Sequence, residues 1–88
     1  MDPIPLIEAL SRARASIAEL SGFPIDGITA SEADGAGGWT VTVEVVESAA
    51  RMGENDLLSA FQVRIAHDGA LAGFSRLRRY RREARDSG

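Results

Sequence analysis

The chain has 88 residues, a length that suits one small domain with a single hydrophobic core. Hydrophobic residues make up 44% of it and charged residues 26%, proportions typical of a soluble globular protein rather than a disordered one. It has no cysteine, which excludes disulfides, thiolate metal sites and cysteine nucleophiles. Its first residues include an acid where a signal peptide carries positive charge, and no apolar run is long enough to span a bilayer. We therefore expect a cytoplasmic protein without a membrane segment.

Charge is divided unevenly along the chain. Residues 1–75 hold four arginines and eleven acidic residues, a net charge of −7, whereas residues 76–88 hold six arginines and two acidic residues, a net charge of +4. All basic residues are arginine, which suits bidentate pairing with carboxylates and stacking on aromatic rings. A domain that coats nucleic acid is usually basic as a whole, so this distribution favours another partner for the C-terminal arginines.

The first segment is predicted to be a helix over about residues 3–21. Asp2 is a candidate N-cap, Pro3 suits the first helical position, and Gly22 followed by Phe-Pro ends the run. Aliphatic residues recur at spacings of three and four and define one stripe, formed by Leu6, Leu10, Ala13, Ile17 and Leu20. Because the stripe covers only about two heptads, we expect it to pack on the sheet of the same chain rather than in a coiled coil.

From Ile25 onward the apolar residues recur with a period of two, which predicts four antiparallel strands across about residues 25–82. The strongest strand is WTVTVEVVE, and the segments DGAGG and HDG are predicted turns. The predicted fold class is α+β, with one N-terminal helix packed on a four-stranded antiparallel meander sheet. We predict a single domain over residues 1–83, followed by a disordered tail at 84–88. The layout is similar to that of cystatin-like and PepSY-type domains.

Strict alternation would divide the last strand into a core face and an outer face. Leu71, Leu77 and Arg79 would share the core face, and the predicted core includes Leu10, Ile17, Leu20, Val43, Phe61 and Leu77. Aromatic rings beside arginines are typical of protein interfaces, so the outer face is the predicted partner-binding site, formed by Phe74, Arg76, Arg78, Tyr80 and Arg82. The alternative is a solvated face whose arginines pair with Glu44 and Glu47 across the sheet.

Trp39 and His67 each have a structural and a functional interpretation. Trp39 begins the strongest strand on the side of its valines, which favours a structural anchor in the core over a surface contact. His67 lies in the HDG segment, which favours a turn residue over a general base. Glu44 and Glu47 are three residues apart on a strand and face opposite sides, so they cannot share a metal ion. We predict no catalytic, metal or cofactor site, and hence no enzyme.

Two segments of the chain contain motifs whose order and spacing are specific. One is GGWTVTVEVVE, with Gly38-Trp39 opening a valine-rich strand that ends in Val-Val-Glu. The other begins at Leu58 and contains a DG.L.G hairpin, then Phe74, then an R..RY.R strand formed by Arg76, Arg79, Tyr80 and Arg82. Taken together, these segments resemble the gas vesicle protein O family. The resemblance implies a small non-enzymatic accessory factor, needed to make or regulate gas vesicles and absent or minor in the finished shell. It also implies action through other gas vesicle proteins.

Three functions compete at this point. The first is an assembly factor that binds other gas vesicle proteins, and the second is a nucleic-acid-binding regulator of gas vesicle gene expression. The third is a generic interaction domain of PepSY type. The acidic body of the chain disfavours the second, because it would repel a phosphate backbone. Like charges on the arginine-rich strand disfavour self-pairing, so we expect a monomer in dilute solution.

Overall fold

A computed structural model describes residues 4–48 and 56–81 of the chain. These residues form one helix and four strands, which are α1 (Leu6–Ser21), β1 (Ile25–Ala33), β2 (Trp39–Ser48), β3 (Leu57–Ile65) and β4 (Leu71–Arg81). The strands form one antiparallel sheet in the order β1-β2-β3-β4, so each strand pairs with its neighbour in sequence. The predicted α+β fold with a meander sheet is confirmed. The predicted tail at 84–88 lies outside the described residues.

The helix begins later than the sequence analysis predicted. Pro5 occupies the N-cap position with an extended backbone, φ −65° and ψ 150°, and supplies no side-chain cap. Its ring disfavours a helical conformation at Ile4, so α1 starts at Leu6 rather than near residue 3. The predicted end is confirmed, since Gly22 adopts a left-handed conformation and donates its N–H to the Ala18 carbonyl.

Both predicted turns are present and use the residues that the sequence indicated. Between β1 and β2, the Asp34 carboxylate accepts hydrogen bonds from the N–H groups of Ala36 and Gly38, at 2.7 and 3.0 Å. Between β3 and β4, the Ala66 N–H donates to the Ala70 carbonyl and closes the hairpin. Gly69 has a φ of 90° in that hairpin, which an L-residue rarely adopts.

The hydrophobic core lies between α1 and the two middle strands. Its buried members come from the helix, from β2 and from β3, and they are Ile4, Ala9, Ala13, Ile17, Val41, Val43, Val45, Val63 and Ile65. Leu10 and Phe61, both predicted to be buried, are partly buried and pack against this cluster. The alternation of β2 therefore places Val41, Val43 and Val45 on the side of the helix, as predicted.

Two predicted core residues are instead exposed. Leu20 is 50% exposed and Leu77 is 46% exposed, so their predicted burial was wrong. A helix is about 10 Å wide with its side chains and strands lie about 4.8 Å apart, so one helix covers about two strands. Because α1 packs mainly over β2 and β3, the last turn of the helix and strand β4 keep large apolar side chains in contact with solvent.

Trp39, the predicted structural anchor, joins the start of β2 to the start of the helix. Its ring is partly buried against the core, and its indole N–H donates to the Ile4 carbonyl at 2.8 Å. Ile4 is itself a buried core residue. The tryptophan thus combines apolar packing with a hydrogen bond to the segment that leads into α1.

The contrast between Ile17 and Leu20 predicts unequal effects of matched substitutions. Ile17→Ala opens a cavity in the core and should lower the free energy of unfolding by about 2–5 kcal/mol. Leu20→Ala removes a similar volume from a half-exposed site and should lower it by about 1 kcal/mol. Urea denaturation followed by circular dichroism measures both values. Equal losses would contradict the packing described here.

The Trp39 hydrogen bond predicts a moderate loss of stability on removal of the indole N–H. Trp39→Phe keeps an aromatic ring against the core but leaves the Ile4 carbonyl without its donor, and should reduce the free energy of unfolding by about 1 kcal/mol. Thermal and urea unfolding provide the measurement. An unchanged stability would show that the hydrogen bond does not help to attach the N-terminal segment to the sheet.

Candidate protein-binding surface on strand β4

Strand β4 lies at the edge of the sheet and contains two β-bulges. Ile65 pairs with Leu71 and Arg64 with Gly73, which leaves Ala72 as an extra residue. Phe61 and Ala60 pair with Arg76 and Arg78, which leaves Leu77 as a second extra residue. A bulge interrupts the two-residue alternation of a strand, so the faces of β4 must be assigned from its partners on β3.

Residues directly opposite each other in an antiparallel pair share a face of the sheet. Alternate residues of β3 lie on the side of the sheet that carries the core: Leu57, Ser59, Phe61, Val63 and Ile65. Their β4 partners form a line on that side, which we call the helix-side row: Leu71, Phe74, Arg76, Arg79 and Arg81. The partners of the intervening β3 residues form the distal row on the opposite face: Gly73, Ser75, Arg78 and Tyr80.

The single outer face predicted for the arginines is therefore wrong. The prediction placed Phe74, Arg76, Arg78 and Tyr80 together, but the bulge at Leu77 separates the first two from the last two. The same bulge brings Arg79 onto the face of Arg76, although strict alternation would have separated them. Arg82, the fifth predicted residue, lies outside the described residues.

The helix-side row combines apolar and cationic side chains on the part of the sheet that α1 does not cover. Leu71 is 41% exposed and Phe74 is 47% exposed. The Phe74 ring lies 6.5 Å from that of Phe61, centroid to centroid, with the planes tilted by 48°. Phe61 in turn packs on the core, so one side of the Phe74 ring contacts a core-packed residue and the other side is exposed to solvent.

Glu47 holds two arginines of the helix-side row. Its Oε1 atom lies 3.6 Å from Arg76 Nη1 and 3.7 Å from Arg79 Nη1. Its Oε2 atom accepts a hydrogen bond from the hydroxyl of Ser59, a fully buried residue of β3. Glu47 is only 12% exposed, whereas both arginine side chains are about half exposed. One carboxylate thus lies within ion-pair distance of two guanidinium groups at the surface.

The distal row has a different character. The guanidinium of Arg78 lies 5.4 Å from the centre of the Tyr80 ring, a distance typical of a cation–π contact. The Tyr80 hydroxyl is buried and has no hydrogen-bond partner in the described part of the chain. Across the strand pair, the guanidinium of Arg64 covers Gly73 so closely that a Cβ atom at that position would clash with it. The arginines of this face therefore lie against the sheet.

Sequence reasoning missed two features of this surface. It did not place Phe74 and Arg76 on the core side of the sheet beside Arg79, and it did not identify Ser59 as the group that orients Glu47. A pairing between β4 arginines and Glu47 was the alternative to an interface, and the structure shows it for Arg76 and Arg79. Both arginines nevertheless keep exposed N–H donors, so the pairing and a binding role are compatible.

Other candidate sites have ordinary structural roles. His67 is an exposed residue of the turn between β3 and β4. Glu44 pairs with Ala60 and Glu47 contacts Ser59, which places the two carboxylates on opposite faces, as predicted. In residues 4–48 and 56–81, no group of three or more His, Asp or Glu side chains is arranged to hold a metal ion. Across those same ranges, no helix has the length and apolar composition required to cross a membrane.

Comparisons with known proteins agree with the resemblance noted in the sequence. The model of the family described as gas vesicle synthesis protein GvpO matches residues 1–86. Gas vesicle protein O of Streptomyces sp. (strain CB03234) is 36% identical over 84 residues, covering 96% of this chain. The chain spans 64% of the length of that relative. No solved structure matches the chain. Because the family model matches residues 1–86, the chain belongs to the gas vesicle synthesis protein GvpO family.

Proposed function

We propose that the chain is a non-enzymatic accessory factor in gas vesicle formation that binds other gas vesicle proteins through strand β4. Membership of the GvpO family supports a role in gas vesicle formation. The name of the Streptomyces relative, gas vesicle protein O, is consistent with it. We further propose that the chain acts in the cytoplasm and needs no cofactor.

The observation that carries the proposal is the composition and exposure of β4. An edge strand of eleven residues contains four arginines and no acidic residue, and it also exposes three large apolar side chains, those of Leu71, Phe74 and Leu77. Arginine and aromatic residues are enriched at the centres of protein interfaces. A surface of this composition on a chain with a net charge of −3 is suited to an acidic protein partner.

A protein partner explains the arrangement of the arginines better than a nucleic acid does. Nucleic-acid-binding surfaces place cations in a continuous patch that follows the phosphate backbone. Here two arginines share the carboxylate of Glu47, and Arg78 lies on the opposite face of the sheet. The rest of the chain is acidic, so it would repel a polyanion while leaving carboxylate contacts on β4 available.

Removing one arginine from each face should weaken binding without unfolding the protein. Arg76→Gln with Arg78→Gln leaves Arg79 in place to pair with Glu47, so we expect a normal circular dichroism spectrum. We expect at least about a tenfold loss of affinity for the gas vesicle protein that co-purifies with the wild type, since hydrogen bonds to charged groups contribute about 1.5–3 kcal/mol each. We also expect reduced vesicle yield, measured by turbidity in cells that carry the whole gene cluster.

The matched control is Arg12→Gln with Arg14→Gln, which removes the same charge from α1 and should leave binding and vesicle yield unchanged. Normal vesicles from the folded β4 variant would contradict the proposal. So would a gel shift showing tight, salt-sensitive binding of DNA or RNA by the wild type, because it would identify nucleic acid as the partner.

The isolated chain should be a monomer. Pairing of two β4 strands would bring arginines opposite arginines, and the bulges at Ala72 and Leu77 interrupt the edge that a second copy would need. Light scattering at moderate salt should give the mass of one chain, 9.4 kDa. A dimer that persists on dilution would contradict this prediction.

A further inference from the structure

The helix-side row has two parts that require different chemistry from a partner. Leu71 and Phe74 form an apolar part, and Arg76 and Arg79 form a cationic part next to it. Phe74 and Arg76 are two residues apart without a bulge between them, so they lie about 6.6 Å apart along the strand. A partner that uses both must place an apolar side chain and an anion at a similar separation.

The cationic part retains capacity for a further carboxylate. Each guanidinium has five N–H donors, and the Glu47 contacts of 3.6 and 3.7 Å are longer than the roughly 2.7–2.9 Å of a charge-assisted hydrogen bond. A single glutamate therefore neutralises only one of two positive charges and leaves donors pointing into solvent. Because Ser59 fixes Glu47 from the buried side, the arginine pair is positioned before any partner binds.

The two bulges of β4 disfavour binding of a partner strand along the backbone edge. They leave the side chains of the helix-side row as the better binding surface. A long added strand requires an uninterrupted edge, and Ala72 and Leu77 leave only Gly73–Arg76 regular between them. The distal row is a poorer candidate because Arg78 lies against Tyr80 and Arg64 covers Gly73. The half-exposed ring of Phe74 and the half-exposed arginines beside it are available together.

We propose that the helix-side row binds an acidic segment of another gas vesicle protein. In this complex a glutamate or aspartate of the segment lies between Arg76 and Arg79, and a neighbouring large apolar side chain packs on Phe74. This inference rests on the proposed function and adds to it the face of β4 that is used and the chemistry of the partner. Glu47 acts as a positioning residue, since it holds the arginines but leaves their outer donors for the partner.

Site-specific photocrosslinking in cells that carry the whole gene cluster tests the proposal. A photoreactive phenylalanine analogue, p-benzoylphenylalanine, replaces Phe74 in one variant and Ser75 in another. The two positions are adjacent in sequence, but they lie on opposite faces of the sheet. We expect crosslinking at 74 and little at 75, and mass spectrometry should show that the crosslinked peptide has an acidic residue next to a large apolar one.

Charge exchange then tests the contact itself. Arg76→Glu with Arg79→Glu should abolish the crosslink at 74, and replacement of the acidic residues of the identified segment by arginine should restore it. The introduced glutamates would face Glu47, so a second variant, Arg76→Gln with Arg79→Gln, tests the same contact without that repulsion. Its side-chain amides can still donate hydrogen bonds to Glu47, and it should reduce the crosslink about tenfold. Circular dichroism of both variants reports on folding.

Each other outcome overturns the inference in a distinguishable way. Crosslinking of gas vesicle proteins at 75 and not at 74 would leave the proposed function intact but move the site to the distal row. A crosslinked segment without acidic residues would refute the chemistry proposed for the partner. Crosslinking to nucleic acid, or an absence of crosslinks at both positions in cells that form vesicles, would overturn the proposed function together with the inference.

Discussion

The width of a single helix determines which strands of the sheet are covered and which apolar side chains stay exposed. One helix buries about two strands, and α1 lies over β2 and β3, whose valines and isoleucine form the core with Ala9, Ala13 and Ile17. The edge strands then have a core-side face that is only partly covered. On β4 this leaves apolar side chains half exposed at positions that a second helix would otherwise bury. The candidate surface thus follows directly from having one helix for four strands.

The same constraint explains why charged side chains are tolerated on the core side of the sheet. A guanidinium facing a closed core would need full compensation for its lost hydration, whereas Arg76 and Arg79 stay half in solvent. Glu47 is the more buried member of the group, and it has both a hydroxyl donor and two cations around it. The residue that loses the most hydration, Glu47, is thus the one with the most polar partners to compensate for that loss.

The sequence predicted the type and order of every element because helix and strand periodicities can be counted directly. The glycines and aspartates of the turns were equally informative. The start of α1 was misplaced, since Pro5 restricts the residue before it more strongly than Asp2 and Pro3 favour a helix. At the site the residue types were identified but not their faces. A bulge residue such as Leu77 is not marked by a glycine in the sequence. One such residue moves every later side chain of the strand to the opposite face of the sheet.

The bulge at Leu77 also has a consequence for how members of this family diverge. Since side chains alternate with a period of two, loss or gain of one residue at that point would rotate the end of β4 by half a turn. Arg78 and Tyr80 would then exchange faces with Arg79 and Arg81, although composition and net charge would hardly change. The length of β4 therefore determines which side chains lie on each of its faces, and two homologues with identical arginines but a one-residue gap would expose different surfaces.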